Sequence, residues 1–252
     1  MPPHADYDAV PFEASGQRLP LSGSRCGQQP GPATFPNQSE VKQVMTIAPV
    51  KVSVVYYSST GTTQRMAERL GQAAEKAGAE VRLRHVEELA PREVVESQDA
   101  WRAHLEEVAD QPTATPEDVT WADVVLFGTP TRFGNVASQL KQFIDTLGPQ
   151  WGQGQLADKV YAGFTSSQTT HGGQESTLLA LYTTIHHFGG LIVSPGYTDP
   201  VKFADGNPYG VGHVTGADND APLGSTEHDA LDHLAERAVE VARRLKAGEA
   251  AA

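Results

Sequence analysis

The residues best equipped for chemistry lie in three short loops. The first, Ser58-Ser59-Thr60-Gly61-Thr62-Thr63, is a run of hydroxyl side chains around one glycine, directly after the apolar run VKVSVVYYS. A buried parallel strand reads as a near-continuous apolar run, so this loop falls where a helix should begin. Amides at a helix start have no intrahelical acceptor and the helix dipole favours an anion there. Hydroxyls beside a permissive Gly61 can therefore wrap a phosphate. A plain helix N-cap uses the same residue types, so the loop's neighbours must decide between the two readings.

The second loop, Thr129-Pro130-Thr131-Arg132-Phe133-Gly134-Asn135, offers backbone donors, one guanidinium and one aromatic ring at the end of the apolar run DVVLFG. Such a set can hold a flat heteroaromatic ring by edge hydrogen bonds and stacking. At an arbitrary site, Arg132 would be a solvated charge and Phe133 a core filler. The third loop, Ser166-Ser167-Gln168-Thr169-Thr170-His171-Gly172-Gly173, again combines small hydroxyls with glycines, where backbone can come close to a ligand. Taken alone, His171 reads as a polar loop residue.

Alternating strands and helices must position these loops. After the first strand, Thr63 to Gly78 sets Met66, Leu70, Ala74 and Ala77 at helical spacing and stops at a glycine. Glu80 to Val86 reads as a second strand. Pro91 to Asp110 reads as one helix with Val94, Val95, Trp101, Leu105 and Val108, and Thr115-Pro116-Glu117-Asp118 is a helix start. Further strands are expected at Asp123 to Gly128, Lys159 to Thr165 and Leu191 to Ser194. Helices are expected at Val136 to Leu147, Glu175 to Phe188 and Ser225 to Lys246, the last with Leu231, Leu234, Ala238, Val241 and Leu245 inward. This alternation implies right-handed crossovers and a doubly wound five-stranded parallel sheet of flavodoxin-like order 2-1-3-4-5. Ligands of such α/β sheets bind outside the carboxyl ends of the strands at the topological switch point, which selects the three loops. Pro195 to Leu223, rich in Gly, Pro and Asp, is too long for an idle connector and is expected to pack at a subunit interface or to cover the ligand.

Composition narrows the class. A chain of 252 residues, 39% hydrophobic, suits one sizeable domain with an appendage. Its net charge of −12 argues against a nucleic-acid partner. No apolar stretch is long enough to span a bilayer, and the start lacks the layout of a signal peptide. With a single cysteine, Cys26, a cytoplasmic protein is expected. Residues 1–48 are proline-rich and aperiodic, and read as a disordered extension or as the product of a wrong start codon, with Met45 as the alternative initiator. The ordered domain is expected over 49–252.

Together, YYSSTGTT, GTPTRFGN, FTSSQTTHGGQE, the pair His186-His187 and NPYGVGHVTG resemble the WrbA family of type IV NAD(P)H:quinone oxidoreductases, over about Val50 to Lys246. The resemblance implies an FMN flavoprotein using NADH or NADPH. By position, Ser58 to Thr63 match the phosphate loop, Thr131, Arg132 and Phe133 the isoalloxazine loop, and Ser166 to Gly172 the second ring-and-ribityl loop, here with QTTH in place of a Gly-containing version. His187 matches a histidine that reaches the flavin across a subunit contact, with His186 one position away. Trp151 matches an aromatic of the substrate pocket. Thr60 stands where relatives often carry a tyrosine facing the nicotinamide. The resemblance further implies a homotetramer, no metal, and ping-pong transfer of two electrons to a quinone through one shared site. A flavodoxin-type electron carrier is the alternative, distinguished by slow turnover of NAD(P)H on its own.

Overall fold

The computed structural model describes residues 48–251. The expected N-terminal extension therefore lies almost wholly outside the described residues.

Chain order runs β1 (Lys51–Tyr56), α1 (Thr62–Lys76), β2 (Glu80–His85), α2 (Arg92–Glu96), α3 (Asp99–Glu107), α4 (Pro116–Trp121) and β3 (Val124–Pro130). It continues through α5 (Ser138–Asp145), α6 (Gly148–Gly152), β4 (Val160–Ser167), α7 (Gln174–Phe188), β5 (Leu191–Ile192), α8 (Val201–Asp205), β6 (Val211–Val214) and α9 (Ser225–Ala251). The sheet order is β2-β1-β3-β4-β5, all parallel, as the alternation predicts. Every residue of β3 and β4 is buried, which is why each opens with an apolar run, VVLF in β3 and VYAGF in β4. One face of the sheet carries Val52, Val54 and Leu126 against α1 and α9 through Met66, Leu70, Leu231 and Leu234. The other carries Val55, Val125 and Phe127 against α5 and α7 through Leu140, Phe143, Leu178 and Ile185.

Three differences from the sequence reading have physical causes. The fifth strand is split: β5 pairs with the first two residues of β4, and β6 pairs with the last four, Phe164 to Ser167. Between them the chain leaves the sheet to form α8, anchored by Lys202, whose buried ammonium pairs with Asp205 and donates to the Gly210 carbonyl at 2.9 Å. The long stretch from Pro195 is thus no plain connector. Secondly, the single helix expected over 91–110 breaks at Ser97-Gln98 into α2 and α3, which buries Val95 and Val108 but leaves Val94 and Leu105 exposed. Finally, α9 outlasts the core beneath it, so Leu245 is exposed rather than inward. The helix-start reading at Thr115 holds: Thr115 N–H donates to the Asp118 carboxylate at 3.1 Å in a capping box, and Asp118 also pairs with Arg82 and Arg84 of β2.

Candidate active site

The first loop, Ser58 to Thr63, leaves β1 and turns into α1 at Gly61, whose φ of 88° is left-handed. No side chain caps this helix start. The first-turn amides therefore remain available to an outside acceptor. Ser58 Oγ accepts from Gly61 N–H at 3.0 Å and shapes the turn, while Thr63 Oγ1 lies 3.4 Å from Ser166 Oγ and ties this loop to the third.

The second loop is braced from below. Thr129 is fully buried; its hydroxyl accepts from Ala137 N–H and donates to the Pro130 carbonyl, both at 2.9 Å. Thr131 N–H donates to Ser166 O at 2.8 Å, continuing the sheet into the loop. Arg132 and Asn135 then close a tight turn, with Arg132 N–H to Asn135 O at 2.8 Å and Asn135 N–H to Arg132 O at 3.1 Å. Phe133, at its tip, has φ 52° and is fully exposed. A bulky residue in the left-handed region with no core contact is held by the turn, at a cost, and is not a core filler. Arg132 reaches back so that Nη2 lies 3.4 Å from Ser59 Oγ.

Glycines join the second loop to the third. Gly134 (φ 77°) and Gly173 (φ 92°) face each other, and a Cβ on Gly173 would stand 3.0 Å from Gly134 Cα. Only the absence of side chains allows this approach. The Thr177 hydroxyl, one turn into α7, lies 2.8 Å from both Thr131 Oγ1 and the Gly173 carbonyl. Ser167 Oγ donates to Thr169 O and accepts from Gln174 Nε2, each at 2.8 Å.

The loops enclose a cavity of about 600 Å³. Of the residues expected there, Ser58, Ser59, Thr60, Thr62, Thr63, Pro130, Thr131, Arg132, Phe133, Ser166, Ser167, Gln168, Thr169 and Gly172 line it. Gly61, Gly134 and Asn135 shape the turns without lining it. Thr170 and His171 instead border a separate cavity of about 470 Å³ beside Asp205 and Glu227. Trp151 and His187 are exposed and lie together elsewhere: Trp151 Nε1–H donates to the His187 carbonyl at 2.7 Å. His187 is ten residues along α7 from Thr177, about 15 Å from the loops.

Four lining residues went unread in the sequence: Gln98, Trp101, Thr215 and Asn219. Gln98 and Trp101 were hidden by treating 91–110 as one helix; the signal was Ser97 and Asp99 flanking Gln98, polar residues suited to a helix start. Thr215 and Asn219 follow β6, so the end of the Pro195–Leu223 stretch does border the cavity. Trp101 is oriented by Glu88, whose carboxylate also accepts from the Tyr57 hydroxyl at 2.8 Å and from Gln139 Nε2 at 2.7 Å. Burial pushes the Glu88 carboxyl up, but hydrogen bonds from Ala90 N–H, Gln139, Tyr57 and Trp101 outweigh it and hold it below the ordinary range. Burial, then the bond to Glu88, raise the Tyr57 phenol, which stays neutral.

Residues 50–198 match the family model described as NADPH-dependent FMN reductase. A relative from Deinococcus radiodurans named NAD(P)H dehydrogenase (quinone) is 48% identical over 199 residues, covering 79% of this chain and 98% of the relative. One of the same name from Aromatoleum aromaticum is 39% identical, covering 80% and 100%. Among solved structures, a WrbA-like flavodoxin from Agrobacterium tumefaciens is similar at 26% identity and TM-score 0.54, over 77% of this chain and 98% of that one. This chain belongs to the WrbA family of NAD(P)H dehydrogenases (quinone). The match to the WrbA-like structure takes in nearly its whole length, so the sheet order and helical layers are those of the family. An archaeal flavodoxin at 16% identity and TM-score 0.50 shares the fold.

Proposed function

We propose that the chain is an FMN-dependent oxidoreductase that takes two electrons from NADH or NADPH and delivers them to a quinone, releasing the hydroquinone. The observation that carries this reading is the convergence of an uncapped helix start, a guanidinium-bearing turn and a glycine-rich loop on one cavity at the carboxyl ends of β1, β3 and β4. The names of the relatives support the substrate pair.

The residues present fit FMN. The hydroxyls of Ser58 to Thr63 and the free amides opening α1 suit a dianionic phosphate without a lysine. The backbone of Thr131 to Phe133 and of Ser166 to Gly172 suits a flat ring with polar edges. When bound, FMN supplies the two-electron chemistry. The chain contributes position and electrostatics: amide donors of both ring loops favour negative charge at the ring edge, and Arg132 adds a positive charge at the mouth. One cavity then serves donor and acceptor in turn, which makes the kinetics ping-pong. No residue is assigned as an obligate acid; water or His187 delivers the quinol protons.

We further infer a homo-oligomer, a tetramer in the family pattern, in which His187 and Trp151 of one copy approach the flavin of another. Their distance from the chain's own cavity supports this, as do the exposed aromatics Tyr197, Phe203 and Tyr209 beyond β5. Among the described residues no helix is long and apolar enough to cross a membrane. We place the enzyme in the cytoplasm, with residues 49–252 as the FMN domain and 1–48 as an extension to it.

The test is to purify the protein with FMN and titrate NADH and NADPH with and without benzoquinone. Rapid consumption only when quinone is present supports the enzyme. Sluggish turnover with tight FMN would favour an electron carrier, and a colourless protein that FMN does not alter would refute the flavin site. Elution of a fully flavin-loaded monomer from gel filtration would remove the proposed role of a second copy.

A further inference from the structure

One wall of the cavity comes from neither ring-holding loop. Gln98 and Trp101, at the start of α3, line it beside Ser58, Ser59 and Thr60. Trp101 is half-buried, and its Nε1–H donates to Glu88 Oε2 at 2.8 Å. Glu88 is itself immobilised: the other acceptor bonds to it come from Tyr57, from Gln139, and from Leu89 and Ala90 N–H at 2.9 Å each. A side chain whose donor is bound to so constrained an acceptor cannot swing away, so the indole is a preset flat surface. From the second loop Arg132 reaches Ser59, a neighbour of this wall in the cavity lining: its guanidinium lies 3.4 Å from Ser59 Oγ and, among the described residues, pairs with no carboxylate.

The Arg132 guanidinium and the Trp101 indole thus line the same cavity as the loop that suits the FMN phosphate, and neither is used by that phosphate. A cation and a flat aromatic surface beside the ring site suit the pyrophosphate and the adenine of a dinucleotide, charged and basic groups that a quinone lacks.

We propose that Trp101 is a specificity-determining residue for the nicotinamide dinucleotide: its indole stacks on the adenine, Gln98 hydrogen-bonds the adenine edge, and Arg132 takes the pyrophosphate charge. This rests on the NAD(P)H reading above and assigns the far half of that co-substrate a place of its own. Stacking of a base on an aromatic side chain contributes enough that its loss weakens binding roughly tenfold or more.

The experiment uses FMN-loaded enzyme and compares wild type, Trp101→Leu and Trp101→Phe. Michaelis constants are measured for NADH, for reduced nicotinamide mononucleotide, which lacks the adenosine half, and for benzoquinone. Binding of ADP-ribose, which cannot react, is measured by calorimetry. Trp101→Leu should raise the KM for NADH about tenfold or more and weaken ADP-ribose by a similar factor, leaving the mononucleotide and benzoquinone unchanged. Trp101→Phe should recover most of the loss. Parallel rises for NADH and the mononucleotide, or ADP-ribose binding indifferent to Trp101, would overturn the proposal by reducing Trp101 to a structural role. A wild-type protein that binds ADP-ribose through Trp101 but does not pass electrons to quinone would sink the redox reading and leave the adenine subsite standing.

Discussion

Gly173→Ala tests whether the second and third loops are held together by backbone contact. Two costs add at this position. The left-handed φ of 92° costs an alanine about 1–2 kcal/mol. The new Cβ would also meet Gly134 Cα at 3.0 Å, Ser176 Oγ at 3.1 Å and Gly134 N at 3.4 Å. Ser176 can rotate away, but Gly134 is backbone and sits inside the turn closed by Arg132 and Asn135, so overpacking adds about 1–3 kcal/mol. Gly78, at the far end of α1, separates the two costs: its φ is 84°, and a Cβ there meets nothing within 4 Å. Gly78→Ala should therefore lose only the strain, about 1–2 kcal/mol, whereas Gly173→Ala should lose about 3 kcal/mol. For a domain of this size that is a fall in Tm of roughly 6–12 °C for Gly173→Ala, against roughly 2–8 °C for Gly78→Ala. Thermal melts give both values, and FMN titration should show weakened binding for Gly173→Ala alone. Equal melting shifts with unchanged FMN affinity would refute the claim that close approach, rather than backbone conformation, requires glycine here.

Other outcomes follow from the same geometry. Phe133→Gly should leave Tm unchanged or raise it by up to about 3 °C, because relief of left-handed strain offsets glycine's chain entropy, while FMN-dependent turnover declines; a marked fall in Tm would mean that the ring packs against the fold. Thr129→Val should cost about 1–3 kcal/mol in denaturant melts by leaving the Ala137 N–H buried without an acceptor, and Thr129→Ser should restore it. His104 is buried against Gly61, and burial, opposed by Glu107, holds its imidazole below the ordinary histidine value. A group with a depressed folded pKa supplies stability above its unfolded pKa, about 6.5, and loses it as pH falls below that. The drop in Tm from pH 7 to pH 5 should accordingly be smaller in His104→Phe than in wild type, and identical drops would exclude His104 as a contributor.

The sheet and the three loops were legible in the sequence because they depend on local signals. Strands β1, β3 and β4 are buried on both faces and so announce themselves as apolar runs. Hydroxyls and glycines after each run mark where chain turns into helix, and parallel crossovers put those turns at one sheet edge whatever the details of packing. What the linear pattern did not contain was any relation made across space. The split of the last strand into β5 and β6 depends on an inserted segment anchored by the Lys202–Asp205 pair, and an ion pair buried on burial of its surroundings has no signature in periodicity. The placement of Trp101 depends on Glu88 accepting hydrogen bonds from Tyr57 and Gln139, residues 31 and 51 positions away. Phe133 shows the same division. Its residue type allowed either a core filler or a ring at a ligand site, and the turn closed by Arg132 and Asn135 decides between them by holding it exposed at the edge of the cavity. His187 remains outside the chain's own cavity for a plain geometric reason: it lies in the last turn of α7, ten residues and about 15 Å beyond Thr177, and Trp151 is hydrogen-bonded to its carbonyl there.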